Sequence, residues 1–194
     1  MNEKLNQRCE QLRRLLVVAP YPLWPPTSGG KIRTIKLSRA LANLGFEVTA
    51  LTPYKPGQRK HFAQGQGITL CQVPYPLFII SHLMTDRPFP YQWLVSYHPG
   101  YRLMIKRFVR QFDVIQFEHA AFADLATVAR PGCLLSYNAH NVEQDYVLSE
   151  CRHRGQFVTS LVQERTRQFE ELLVQRVQHV FACTNEDRMR LIAL

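Results

Sequence analysis

Six short apolar runs punctuate the chain: LLVVA (15–19), VTALT (48–52), ITLCQV (68–73), DVIQF (113–117), CLLSY (133–137) and HVFAC (179–183). Most lack the strict alternation of a half-solvated strand, and several are rich in Val, Ile and Leu, as strands covered on both faces should be. Helical spacing fills most of the gaps between them. Ile32, Ile35, Leu37, Leu41 and Leu44 predict a helix closed by Gly45. Tyr101 to Phe112 predicts a second, with Leu103, Met104 and Phe108 on its apolar side and a basic stripe of Arg102, Lys106 and Arg110. Ser160 to Gln178 predicts a third, with Leu161, Phe169, Leu172, Leu173 and Val177 facing inward, and Asn185 to Leu194 a last one capped by Thr184, Glu186 and Asp187. Strands and helices in alternation specify an α/β fold: a doubly wound, Rossmann-like, mostly parallel sheet of about six or seven strands with helices on both faces.

Length and composition agree with that class. A chain of 194 residues, 46% hydrophobic and 20% charged, is long enough to bury roughly 70% of its unfolded surface and too apolar to be largely disordered. Residues 1–14 mix charges ahead of the first strand and read as an extension, neither signal peptide nor membrane span, so the cytoplasm is the expected compartment. The cysteines are odd in number, with no CxxC, which argues against a disulfide framework or zinc site. Cys71, Cys133 and Cys183 fall within strand runs and are expected to act as small buried hydrophobes. A net charge of +9 favours polyanionic partners without choosing among nucleic acid, anionic lipid and phosphorylated small molecules.

In doubly wound sheets ligands gather at the carboxyl ends of the strands. At that edge stands PPTSGGKIRTIKLSRAL, residues 25–41, with a glycine pair and a lysine where the first long turn enters its helix. A Walker A loop needs a hydroxyl after the lysine, and Ile32 is there instead; a dinucleotide fingerprint needs GxGxxG, and the glycines here are adjacent. The remaining device is a helix N-terminus whose free backbone N–H groups meet an anion, with Thr27 or Ser28 as cap and Lys31 and Arg33 adding charge. The alternative is that Gly29 and Gly30 merely turn the chain. His119 ends the fourth strand; His140, Asn141 and Glu143 form a polar group after the fifth, suited either to sugar hydroxyls or to an Asx turn with a helix cap. Glu118 or Glu143 with the two histidines gives no recognised metal-ligand spacing, and no metal is expected. RPFPYQW (87–93) and YHPGY (97–101) have the look of a recognition or lid segment.

The segment APYPLWPPTSGGKIRTIKLSRALANLGFEVTALTP resembles the opening of a retaining GT-B glycosyltransferase of the large nucleotide-sugar-dependent group called family 4. FDVIQFEHAAFADLA is similar to that family's fourth-strand segment, YNAHNVEQDY to its fifth, and VQHVFACTNEDRMRL to the strand and cap that end its N-terminal domain. The resemblance runs from Leu15 onward. It implies that residues 15–194 are the acceptor-side N-terminal domain and that the C-terminal donor-binding domain, with its paired glutamates, is not in this sequence. Leu191, Ile192 and Leu194, without an obvious partner at the end of the last helix, agree with a fragment.

The resemblance further implies a nucleotide-diphosphate sugar as co-substrate, no other cofactor, and a sugar, lipid-linked or small-molecule acceptor. It places Gly29 and Gly30 beside acceptor and donor phosphates with Lys31 and Arg33 nearby, gives His119 a catalytic place facing the donor sugar, and assigns His140, Asn141 and Glu143 to substrate. A missing C-terminal domain or partner chain is the expected partner, and the basic stripe at Arg102 would suit an anionic membrane surface at the inner face. The rival is a stand-alone module that binds a phosphorylated ligand or nucleic acid, although no nucleic-acid motif accompanies the charge.

Overall fold

The computed structural model describes residues 14–54, 67–74, 95, 99–153 and 160–194. In order come β1 (Arg14–Val18), α1 (Gly29–Asn43), β2 (Glu47–Tyr54), β3 (Ile68–Pro74), α2 (Pro99–Phe108), β4 (Val114–Phe117), a 3-10 segment (Ala120–Val128), β5 (Leu134–Asn138), α3 (Glu143–His153), α4 (Ser160–Arg176), β6 (His179–Phe181) and α5 (Asn185–Ile192). The extension before Arg14, the RPFPYQW stretch and the first residues of YHPGY lie outside the described residues.

The six strands form one sheet in the order β3-β2-β1-β4-β5-β6, with every neighbouring pair parallel. The chain winds outward from β1 through β2 to β3, then returns to start β4 on the other side of β1. This reversal is the switch point at which neighbouring crossovers diverge and leave a crevice beyond the carboxyl ends of β1 and β4. The Glu118 amide donates to Val18 O at 3.0 Å, so Glu118 sits at that crevice, level with the end of β1.

The strand period of two divides the core. Leu16, Val18, Ile115, Phe117, Leu135 and Tyr137 point to the face covered by Tyr101, Ile105 and Val109 at α2, by Phe122 and Leu125 of the 3-10 segment, and by Leu173 of α4. Leu15, Val17, Val48 and Ala50 point to the other face, where Ile35, Leu41 and Ala42 of α1 meet them. Each fully buried side chain of this kind contributes about 1.5–3 kcal/mol. Tyr101, 1% exposed, donates its hydroxyl to the carbonyls of Ala19 and Leu51, fastening α2 across the ends of β1 and β2.

All six predicted strands are present, but the helices correct several expectations. On α2, Leu103 is exposed; the buried residues are Tyr101 and Ile105, and Arg102 of the basic stripe pairs with Asp124. On α4, Leu161 is exposed while Thr166 and Glu170 are buried with Leu173, because that helix faces a polar neighbour near its middle. Leu191 is not without a partner: it is buried in the main core and Leu194 packs against it. Cys183 is exposed rather than buried, since β6 stops at Phe181 and the chain turns into Thr184, the N-cap of α5. The 3-10 segment and α3 were not predicted as elements. AAFADLATV is too uniformly apolar to show a period, and α3 buries only a narrow stripe through Val147 and Cys151.

Candidate functional site

The α1 face of the sheet changes character toward the carboxyl ends of β4 and β5. Alternation turns Gln116 and Glu118, and Ser136 and Asn138, to that face, and opposite them α1 presents Thr34 and Ser38; all six are buried, with Glu118 and Asn138 at 0% exposure. A buried carboxylate needs donors, and this one has them from four elements. Thr34 Oγ1 donates to Glu118 Oε2 at 2.6 Å, Gln116 Nε2 to Oε1 at 2.5 Å, Asn138 Nδ2 to Oε2 at 2.9 Å, and His140 Nε2 lies 2.9 Å from Oε2. Tyr21, from the loop after β1, brings its hydroxyl within 3.0 Å of His140 Nε2 and 3.4 Å of Thr34 Oγ1. Burial, reinforced by the charge of Glu118, pushes the Tyr21 phenol well above its ordinary range, so it stays neutral.

Above this centre lies the start of α1. Ser28 holds the N-cap position with extended backbone but makes no side-chain cap bond, and the first helical bond runs from Ile32 N to Ser28 O at 3.0 Å. The amides of Gly29 and Gly30 therefore have no intrahelical acceptor. Left-handed backbone is confined, among the described residues, to Gly45, Gly67 and Gly132. Gly29 and Gly30 are ordinary helical residues, and a turn does not explain them. A Cβ on Gly29 would meet nothing within 4 Å; one on Gly30 would come 3.5 Å from His140 Nδ1. Gly29 thus borders open space, and a Cβ on Gly30 would lie in ordinary contact over the face of the imidazole. Lys31 Nζ reaches Thr27 Oγ1 at 3.4 Å, and Arg33 donates to Ala139 O at 3.2 Å and touches Cys183, bracing the loop that carries His140. A shallow groove of about 570 Å³ runs beside Gly29 along Arg33 and Lys36 to Phe181.

A second centre surrounds the start of α3. His119 is 5% exposed and caps the 3-10 segment: its Nδ1 accepts from Ala121 N at 3.0 Å. That bond puts the ring hydrogen on Nε2, which lies 2.9 Å from Glu143 Oε2. Glu143, the first residue of α3, donates its own amide to both carboxyl oxygens of Glu170, at 3.2 and 3.0 Å, and Tyr137 donates its hydroxyl to Glu170 Oε1 at 3.0 Å. Glu170 reaches across from α4 to satisfy an orphan N–H of a neighbouring helix. Burial, and then the charge of Glu143, raises its carboxyl to about 8. The same burial and the two nearby carboxyls push the Tyr137 phenol well above its usual range.

Of the residues expected from the sequence, the structure brings Gly29, Gly30, Arg33 and His140 together at one centre and His119 and Glu143 at the other. Asn141 is exposed at the surface of the loop, and Lys31 turns back to Thr27. Tyr21, Thr34, Gln116, Asn138, Tyr137 and Glu170 were missed, and Glu118 was weighed only as a metal ligand. The polar residues at alternate positions of VIQFE and LLSYN were the available signal. Among the described residues no group of three or more His, Cys, Asp or Glu is placed to hold a metal ion, and no helix is long and apolar enough to cross a membrane.

The model of Glycosyltransferase Family 4 matches residues 27–194. The chain belongs to Glycosyltransferase Family 4. Its fold is similar to that of sucrose-phosphate synthase from Thermosynechococcus elongatus, at a TM-score of 0.62 and 10% identity, over 93% of this chain and 45% of that one. It is also similar to the E. coli trehalose-6-phosphate structure bound with UDP-2-fluoro glucose, at a TM-score of 0.51 and 14% identity, over 92% of this chain and 42% of that one. No curated protein sequence matches the chain significantly. The family 4 domain described here therefore spans less than half the length of either structure, and its six-stranded parallel sheet is that of the N-terminal half of a GT-B enzyme.

Proposed function

We propose that this domain is the acceptor-side half of a glycosyltransferase that moves a sugar, with retention, from a nucleotide-diphosphate sugar to a glycan, lipid-linked or small-molecule acceptor. The observation that carries the reading is the start of α1: two helical glycines at the switch point of the sheet, their amides without intrahelical acceptors, with open space where a side chain on Gly29 would stand and the His140 ring face beside Gly30. Amides at the positive end of a helix stabilise an anionic oxygen. In a transfer with retention the leaving diphosphate can itself accept the acceptor's proton, so holding the charge that develops on it is the largest task left to protein groups. Lys31 adds a cation next to the glycines. Asn141, exposed at the rim, is assigned to a substrate hydroxyl. His119 is engaged at both ring nitrogens, and we give it the task of holding Glu143 toward the sugar. The donor's remaining contacts belong to a second domain or partner chain.

The test offers the purified 194-residue chain two probes. Saturable binding of UDP-glucose, displaced by pyrophosphate, is the expected result, without release of UDP because the donor-binding half is not supplied. Retention of an oligonucleotide with steep salt dependence, and no saturable binding of UDP-glucose, would instead support a stand-alone nucleic-acid module. Turnover of UDP-glucose by the chain alone would overturn the assignment to one half of an enzyme.

A further inference from the structure

The seam between α3 and α4 sets two acids around one hydroxyl. Tyr137, Glu143 and Glu170 are exposed by only 0%, 4% and 1%. The Tyr137 hydroxyl oxygen lies 3.0 Å from Glu170 Oε1 and 3.5 Å from Glu143 Oε1. A phenol has a single hydrogen and can give it to one carboxyl at a time. Two carboxylates in so dry a place repel each other, and among the described residues no lysine or arginine forms an ion pair with either. The charged or titratable groups facing Glu170 are Glu143 from α3, Tyr137 from β5 and Asp187 from α5, and beyond Glu143 stands His119 at the start of the 3-10 segment. One added hydrogen resolves the conflict. Placed on Glu170 Oε1, it is donated to the Tyr137 oxygen, and the phenol hydrogen turns to Glu143 Oε1. Glu170 Oε2 keeps the Glu143 amide at 3.0 Å, and Glu143 Oε2 keeps the His119 Nε2–H at 2.9 Å. Every oxygen of the cluster then has a donor or an acceptor opposite it. Burial and neighbouring charge, which raise the Glu170 carboxyl to about 8, favour the same placement.

We infer that Glu143 and Glu170 hold one proton between them, carried by Glu170, and that through Tyr137 it makes Glu170 a positioning residue, keeping Glu143 ionised and turned to His119. Loss of that proton to solvent reverses the phenol. Tyr137 then donates to Glu170, Glu143 Oε1 loses its donor, and a second charge faces Glu143 across the seam. The hold on the first residue of α3 therefore loosens as pH rises through about 8. The acid pair stands on its own geometry, whereas its consequence for a sugar rests on the proposed role of Glu143.

The experiment is a carboxyl-carbon titration of the 194-residue chain labelled in glutamate, run beside a long-range proton–nitrogen correlation of His119. On the acid side of the transition Glu170 should show the carbon shift of a carboxylic acid and Glu143 that of a carboxylate. As pH passes about 8, Glu170 should ionise, and the Glu143 carboxyl and the His119 Nε2–H should move with the same midpoint. In Glu170→Gln, whose amide nitrogen donates to Tyr137 as the acid does, Glu143 and His119 should keep their low-pH signals throughout. In Tyr137→Phe, which lacks the bridging hydroxyl, most of the coupled movement should vanish. A wild-type chain with both acids ionised below that midpoint, or with the proton on Glu143, overturns the inference whether or not any variant folds. So does a Glu143 signal that ignores the Glu170 transition. A parallel titration with UDP-glucose reads the consequence: affinity should fall about fivefold, the worth of about one hydrogen bond, as pH rises through the transition, and should stay level in Glu170→Gln. Wild-type affinity that does not change with pH overturns the positioning role. If UDP-glucose binds at no pH, the proposed function fails while the acid pair stands.

Discussion

Two carboxyl groups at the same end of the sheet, Glu118 and Glu170, are both buried, at 0% and 1% exposure, yet their surroundings are opposite in kind. Glu118 is encircled by side-chain donors from α1, β4, β5 and the loop after β5. Glu170 has the Glu143 amide and the Tyr137 hydroxyl, and shares its pocket with a second carboxyl. One environment turns four side-chain donors to a single carboxyl; the other sets two acids against each other, with Asp187 on α5 adding to the repulsion, and raises Glu170 to about 8. Burial alone does not decide how an acid behaves. What decides it is how many donors the surrounding elements can supply, and here the donor-rich centre lies beneath the open helix start while the donor-poor one fastens α3 to α4.

The sharpest way to break this contrast is to remove the carboxylate that many groups depend on. Glu118→Leu strands the donors of Thr34, Gln116, Asn138 and His140 in a dry seam, and should lower stability by about 3–5 kcal/mol, read as the shift in urea midpoint at neutral pH. A loss below about 1 kcal/mol would mean that the network is not tight.

The second test uses pH. Because the native carboxyl of Glu170 sits near 8 against an ordinary 4.5, the folded state binds more protons than the unfolded state between those values. Stability from this group is therefore fully present below about pH 4.5 and is lost as pH rises through about 8, by a few kcal/mol and at most about 5. Glu170→Gln should flatten that slope while leaving Tyr137 a partner. An unchanged slope would move the titrating group elsewhere.

These centres also mark what the sequence could and could not tell. Strand positions were legible because runs such as LLVVA and DVIQF are apolar on both faces, and the parallel, doubly wound class followed from their alternation with helices. The glycine pair was legible as a helix start. The Glu118 network was readable in principle, since Gln116, Glu118, Ser136 and Asn138 interrupt apolar strands at every second position, but its meaning depends on Thr34 arriving from a helix 84 residues away in sequence. Glu170 was hidden more deeply. On a helix it reads as one more solvated charge, and only the folded contact with the amide of Glu143 reveals its role. The exposed Leu103 and Leu161 show the opposite error: on α2 the inward positions are Tyr101 and Ile105 rather than Leu103, and on α4 they include polar Thr166 and Glu170.

The smallest effects sharpen the donor-rich side. Gly29→Ala and Gly30→Ala place a methyl on helical backbone in open or ordinary contact, so each should leave stability unchanged or raise it by up to about 1 kcal/mol. Binding of UDP-glucose should nonetheless fall, because each methyl would stand at the helix start where the free amides meet the anion. A loss of stability in either variant would contradict a helical, uncrowded glycine pair.

The central claim is that the first amides of α1 hold an anionic oxygen at the switch point. An amide-resolved titration of the 194-residue chain with pyrophosphate tests it most directly. The account predicts saturable shifts centred on Gly29, Gly30 and Lys31. Shifts that track ionic strength alone, or that are confined to other surfaces while these three stay still, would contradict it.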